Sequence, residues 1–162
     1  MSNNVKQAPA MTASDQDTQD PFYVGEFRHN LDPKNRITVP SKWRFSGDDV
    51  DGHVAWVHPE GYIAVYPPRK IKEFRERIMR IPEGDKRGQR ILRRLFGKAT
   101  RFECDSQGRI KLGDMMVKDA GIHKAVVLVG LGETFNIWSV ERFERQDEED
   151  FDLLEAMSDF GI

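Results

Sequence analysis

The stretch Leu31-Asp32-Pro33-Lys34-Asn35-Arg36-Ile37-Thr38-Val39-Pro40 constrains this chain more than any other, because its frame returns 73 residues later. There it reads Cys104-Asp105-Ser106-Gln107-Gly108-Arg109-Ile110-Lys111-Leu112-Gly113. The shared frame is Asp, three residues, Arg, then a strand of alternating apolar positions. An aspartate at the head of such a stretch accepts hydrogen bonds from the amides just after it and starts a tight turn. Pro33 suits the second turn position, where φ is fixed near the required value. Asn35 and Gly108 stand at the same place in the frame, and these two residue types tolerate the left-handed conformation best. Together this is the chemistry of a hairpin loop closed by a type I turn and a left-handed residue. Asp32, Asn35, Asp105 and Gly108 are therefore read as turn-forming residues. Arg36 and Arg109 open the returning strands within reach of their aspartates.

The neighbours repeat as well. Val54-Ala55-Trp56-Val57 recurs as Val126-Val127-Leu128-Val129, and Tyr62-Ile63-Ala64-Val65-Tyr66 recurs as Thr134-Phe135-Asn136-Ile137-Trp138, both at an offset of 72. A charged helical run follows each copy. The chain divides accordingly into an arm at 1–21, a first unit with its helix at 22–80, a basic helical connector at 81–95, a second unit at 96–145 and an acidic tail at 146–162. Two copies of so long a period do not make a solenoid.

With these residues in hand, the chain resembles the MraZ family, bacterial regulators built from two AbrB-like (SpoVT/AbrB) modules. The residues carrying the resemblance are Tyr23-Val24-Gly25-Glu26-Phe27-Arg28-His29-Asn30-Leu31-Asp32 with Arg36 and Pro40, then Asp105 to Ile110, then Val127-Leu128-Val129-Gly130 and Phe135-Asn136-Ile137-Trp138. Asn35 departs from the glycine usual in the first motif, and Gly113 stands where a proline is usual in the second. The first ~20 residues and the acidic tail read as additions to the family core. The resemblance implies an α+β fold of two pseudo-symmetric AbrB-like β-rich units with helices packed outside. It implies a sequence-specific, DNA-binding transcriptional regulator, acting as a ring-shaped homo-oligomer on promoter repeats upstream of the cell-division and cell-wall gene cluster. It implies a cytoplasmic, nucleoid-associated protein with no cofactor.

Bulk properties agree with a soluble chain. A unit of ~60 residues buries little apolar surface by itself, so two such units are expected to pack together and gain from oligomerisation. Phe22, Tyr23, Phe27 and Trp138 look like exposed aromatic anchors for that contact. No apolar run approaches the length of a transmembrane helix. Met1 to Asp20 lacks the basic start and apolar stretch of a signal peptide. The single cysteine, Cys104, excludes an internal disulfide framework and suits a reducing compartment.

Charge is unevenly spread. Residues 146–162 hold seven acids and no Lys or Arg, whereas residues 21–145 carry 24 basic and 17 acidic side chains, a net of +7. A basic body favours a polyanionic partner, most often nucleic acid, although charge alone fits a merely solvated surface equally well. The most basic segment, Arg69 to Arg101, holds 13 Lys or Arg against 4 acids. It has no counterpart in the second unit, and we read it as pairing with acids of a neighbouring subunit or standing solvated.

In order, the pattern predicts strands at 22–27, 36–39, 53–58, 62–66, 98–104, 109–112, 124–130 and 134–138. A short helix is expected at 41–45 after Pro40, longer ones from Pro67-Pro68 to about Ile81 and over 86–96, and another short one over 114–120. A last helix starts at Ser139 as N-cap and runs on toward the tail. The polar arm 1–21 reads as disordered.

No phosphate-binding glycine loop or Cys/His pair at metal-ligand spacing occurs. His53 and His58 fall on opposite faces of an extended strand, and Asp105 disfavours a thiolate at Cys104. An enzyme is therefore not expected, a metal-dependent hydrolase being the remote alternative. The Asp–Arg pairs read as salt bridges locking each turn. The same rigid loops hold arginines where a planar guanidinium meets a phosphate or a guanine edge. The first loop is the richer, with Arg28, Lys34, Arg36, Lys42 and Arg44 around it; the second has Arg101, Arg109 and Lys111. The expected DNA-binding residues are thus Arg36, Lys34, Arg28, Lys42, Arg44 and Arg109. The alternative from a different class is an oligomeric scaffold or antitoxin-like module whose basic surface meets an acidic protein.

Overall fold

A computed structural model describes residues 21–45, 52–146 and 150–162. Apart from Pro21, the N-terminal arm lies outside the described residues, as do 46–51 and 147–149. The chain is α+β. Its strands are β1 (Glu26–Asn30), β2 (Arg36–Thr38), β3 (His53–Val57), β4 (Ile63–Tyr66), β5 (Thr100–Phe102), β6 (Arg109–Lys111), β7 (Ala125–Gly130) and β8 (Phe135–Ser139). The helices are α1 (Pro68–Ile78), α2 (Lys86–Phe96), α3 (Asp114–Asp119), α4 (Val140–Gln146) and α5 (Leu153–Asp159), with a 3₁₀ turn at Ser41–Trp43.

Six strands form one sheet in the order β1-β7-β8-β4-β3-β5, and β2 and β6 form a separate two-stranded ladder. All pairings are antiparallel, and several join the first repeat to the second. Arg28 of β1 lies opposite Val127 of β7, as Arg101 of β5 lies opposite Val54 of β3. At the centre of the sheet Ala64 faces Asn136, and in the small ladder Ile37 faces Ile110. Here the structure corrects the hairpin expectation. The turn after β1 does not fold β2 back onto β1; β1 is taken up by β7 and β2 by β6. The physical reason is in the side chains: paired across this ladder, Ile37 and Ile110 are both buried in the main core.

The main core draws on both copies. Leu31, Ile37, Val39, Trp43, Ile63 and Val65 pack with Ile110, Leu112, Met116, Val126, Leu128, Phe135 and Ile137. Strand alternation decides what faces where. Ala55 in β3 points into this core, whereas its neighbours Val54 and Trp56 point to the other face, which α1 and α2 cover with Ile71, Phe74 and Leu95. Trp56 stacks on Tyr66 at 4.2 Å between ring centroids. Pro68 sits at the start of α1, where its missing amide costs nothing. Asp85 caps α2, its carboxylate accepting from the Gly88 amide at 2.9 Å.

Three further expectations are revised. The first strand begins at Glu26, not Phe22, because Gly25 takes φ 112° and bends the chain; Tyr23 keeps only a bridge to Gly132. Of the aromatics read as exposed anchors, Phe22 is 61% exposed, but Tyr23 (1%) and Trp138 (5%) belong to the interior. Tyr23 meets Trp43, Phe45 and Phe135 at 5.1–5.5 Å, and the Arg69 guanidinium lies 5.5 Å from its ring centroid. The last helix does not run unbroken into the tail: α4 is described to Gln146, residues 150–152 are not helical, and α5 starts afresh, its cap Asp152 accepting from the Glu155 amide. The Ser139 hydroxyl accepts from the Arg142 amide at 3.2 Å at the head of α4.

One close approach gives a direct test. A Cβ on Gly130 would lie 2.4 Å from the Tyr23 carbonyl oxygen, while one on Gly113 would meet nothing within 4 Å. Gly130→Ala is expected to destabilise the protein by more than about 2 kcal/mol and Gly113→Ala to leave it within about 0.5 kcal/mol, as read by thermal unfolding of both variants.

Candidate nucleic-acid interface

Each repeated turn closes on itself through its aspartate. Asp32 Oδ1 accepts from the amides of Lys34 (2.9 Å) and Arg36 (2.8 Å), and Oδ2 accepts from Arg36 Nε at 2.6 Å. Asp105 does the same with Gln107, Arg109 and Arg109 Nε, at 2.9, 2.9 and 2.8 Å. The left-handed position is Asn35 at φ 57° in the first turn and Gly108 at φ 73° in the second. Charge-assisted bonds of this kind fix the guanidinium plane as well as the backbone.

The two loops lie at opposite ends of one short ladder. The Leu112 amide donates to the Asn35 carbonyl and the Val39 amide to the Gly108 carbonyl, both at 2.9 Å. Between them Arg36 stands opposite Lys111 and Thr38 opposite Arg109, with Ile37 and Ile110 buried beneath. By alternation Arg36, Thr38, Arg109 and Lys111 share the outer face. Arg44 joins the second loop: its Nε donates to the Val39 carbonyl at 3.0 Å, and its guanidinium lies so close to Gly108 that a Cβ there would be 2.1 Å from Cζ. Gly108 thus answers two demands, the left-handed backbone and the approach of Arg44. The Asn35 side-chain amide donates to Asp114 at 2.7 Å, linking the first loop to α3.

Of the residues singled out from sequence, the structure brings Lys34, Arg36, Arg44 and Arg109 to this ladder and its loops. Lys42 is exposed on the adjoining 3₁₀ turn. Arg28 is elsewhere, on β1, where it reaches Glu144 of α4 at 3.4 Å. Sequence reasoning grouped Lys111 with Arg109 and turned Thr38 outward with Arg36, but missed that the two strands pair and put all four on one surface. The offset of 73 that relates them was the available signal.

Electrostatics follow from the hydrogen bonds. Partial desolvation pushes the Asp32 carboxyl upward, but the amides of Arg36 and Lys34 and the Arg36 guanidinium outweigh it and hold it below its ordinary 3.8. The Arg109 amide is the main cause of the same downward shift at Asp105, with its guanidinium and the Gln107 amide adding to it.

The chain matches the family model for the MraZ protein, described as antitoxin-like, over residues 95–159. A transcriptional regulator MraZ of Lachnoclostridium phytofermentans is 35% identical over 143 residues, 87% of this chain and 99% of the relative. Those of Pediococcus pentosaceus and Natranaerobius thermophilus are 32% and 34% identical, each over 87% of this chain and all of the relative. An α+β chain with two Asp–Arg turns on a shared ladder therefore falls in a class of proteins named as transcriptional regulators. The chain belongs to the MraZ family. Because the matched stretch reaches residue 159, the acidic tail helix lies within the family region and is not the addition expected from the sequence.

The carboxyl shifts have a consequence for pH. A folded pKa below the unfolded value means that each clamp stabilises fully above about pH 4 and loses that contribution as pH falls through the folded value. The melting temperature of the natural chain is expected to drop more steeply below about pH 4 than that of the Asp32→Asn, Asp105→Asn double variant. Parallel acid limbs measured by circular dichroism would show that the clamps carry no charge-dependent stability.

Proposed function

We propose that the protein is a sequence-specific, DNA-binding transcriptional regulator whose contact surface is the β2–β6 ladder with its two loops. The observation that carries this reading is the placing of Arg36, Lys111, Thr38 and Arg109 on one outward face, with Ile37 opposite Ile110 beneath it. A two-stranded β-ribbon fits the major groove, where arginine reads guanine and threonine contacts either base type. Lys34, Lys42 and Arg44 lie around it for phosphates, which position without specifying. Arg28 stands apart on β1, reaching Glu144, and takes no part in this surface. Asp32, Asn35, Asp105 and Gly108 hold the loops rigid.

The same reading takes the two repeats as pseudo-symmetric AbrB-like units. It takes the working form as a ring-shaped homo-oligomer meeting successive promoter repeats, upstream of the cell-division and cell-wall gene cluster. A nucleoid-associated protein of the cytoplasm follows from that target, with no cofactor or catalysis required. The rival reading, a scaffold or antitoxin-like module on an acidic protein, predicts no preference among DNA sequences.

A salt series against the promoter of the protein's own operon separates the two. DNA recognition predicts affinity falling with a log–log slope of about −0.9 per phosphate contacted, with specific sequence retained over competitor. Arg36→Ala is expected to cost about 1–3 kcal/mol per site and more than Arg109→Ala, since the first loop has the denser cationic surround. Equal losses in the two folded variants would count against the first loop as the main reader. Asp32→Ala is expected to lower both melting temperature and affinity; a loss of affinity alone would mean that the carboxylate is not the clamp.

A further inference from the structure

A second surface lies away from the ladder. A cleft of about 760 Å³ opens between α2, the end of β3 and α3. Trp56, Leu95 and Met115 supply its apolar lining, and Arg90, Arg94 and Lys98 stand along its α2 side. Arg90 and Arg94 are one helical turn apart and so project together. Met115 is 65% exposed there. Among the described residues, Arg90, Arg94 and Lys98 make no ion pair. The surface is thus apolar at the base and cationic along its α2 rim, with Asp119 on the α3 side facing it.

The tail carries the opposite chemistry. Residues 146–162 hold seven acids and no Lys or Arg. Within this stretch Phe151, Leu153, Leu154, Phe160 and Ile162 are all exposed, Leu154 at 79%. Leu153, Met157 and Phe160 recur at helical spacing, so α5 offers an apolar stripe flanked on one side by Asp152 and Asp159, with Glu155 on the opposite face. A seven-residue helix gains little stability alone. It has an end cap and an apolar stripe but buries nothing large on its own chain.

We propose that α5 of one copy docks in the α2–α3 cleft of a second copy, its apolar stripe over Trp56, Leu95 and Met115 and its flanking Asp152 and Asp159 against Arg90, Arg94 and Lys98. Helix-in-groove recognition reads apolar anchors at this spacing, and complementary charge sets orientation and partner. The tail and the cleft are different surfaces, both open on the same chain. Their contact between copies is therefore heterologous, and repeated head to tail it closes into a ring when the rotation allows. The inference rests on the self-assembly part of the reading above and gives it a joint.

Light scattering on the full chain, on a chain ending at Asp150 and on Arg90→Glu, Arg94→Glu tests it, with circular dichroism confirming the fold of each. The expected result is a multimeric full chain, and loss of mass toward the monomer in both variants. Adding Asp159→Arg to the cleft variant restores part of the mass, because a tail charge on the docking side is then exchanged with the rim. Truncated and charge-reversed chains that keep the full mass would overturn the tail joint while leaving the oligomer standing. A monomeric full chain would overturn both. Met115→Cys with Leu154→Cys, in a Cys104→Ser chain mixed from isotopically light and heavy copies, separates the source of the tail. Light-to-heavy disulfides are expected; bonds confined to single chains would overturn docking between copies.

Discussion

A three-residue strand has no independent stability, so β2 exists because β6 lies against it. That pairing is the constraint on which the candidate site depends. It buries Ile37 on Ile110 and turns Arg36, Thr38, Arg109 and Lys111 outward together. Two loops that are 73 residues apart in the chain become one surface through six residues of backbone. Had each strand folded back on the one before it, the arginines would belong to separate hairpins.

The clamps make that short ladder sufficient. Each aspartate binds two amides and a guanidinium within its own loop, so the turn does not need a long hairpin to hold it. Removing one carboxylate would leave amides and an arginine without partners, which costs more than the net worth of the bonds themselves. The large sheet works by the same exchange between repeats. β1 is completed by β7 and β5 by β3, with β4 and β8 joined at the centre. Neither repeat closes its own sheet, and the principal core takes its side chains from both.

Much of this was legible in the sequence. Turn chemistry is local: Asp, a left-handed Asn or Gly and an Arg announce themselves within five residues, and their observed bonds match that reading. The helices at 68–78 and 86–96 follow from Pro67-Pro68 and apolar spacing, while the Asp85 cap of the second appears only in the structure. What was not legible is nonlocal. Alternation says that Ile37 points inward but not that Ile110 lies opposite, because register is set by tertiary pairing. Tyr23 and Trp138 read as surface anchors, since nothing local shows that Gly25 bends the chain and brings Tyr23 against Trp43 and Phe135. The contact of Arg44 with Gly108 is hidden for the same reason: the glycine looked like a turn residue alone, and its second role appears only when the loops meet.

The central claim is that the ladder, and not the more basic α1–α2 segment, meets DNA. Photo-crosslinking with a reactive group placed in turn at Thr38, Lys111, Arg75 and Arg87 tests it most directly. The account predicts DNA adducts from Thr38 and Lys111, lost on adding unlabelled operator, and none that depend on sequence from Arg75 or Arg87. Sequence-dependent adducts from the two helical positions, with the ladder silent, would contradict it.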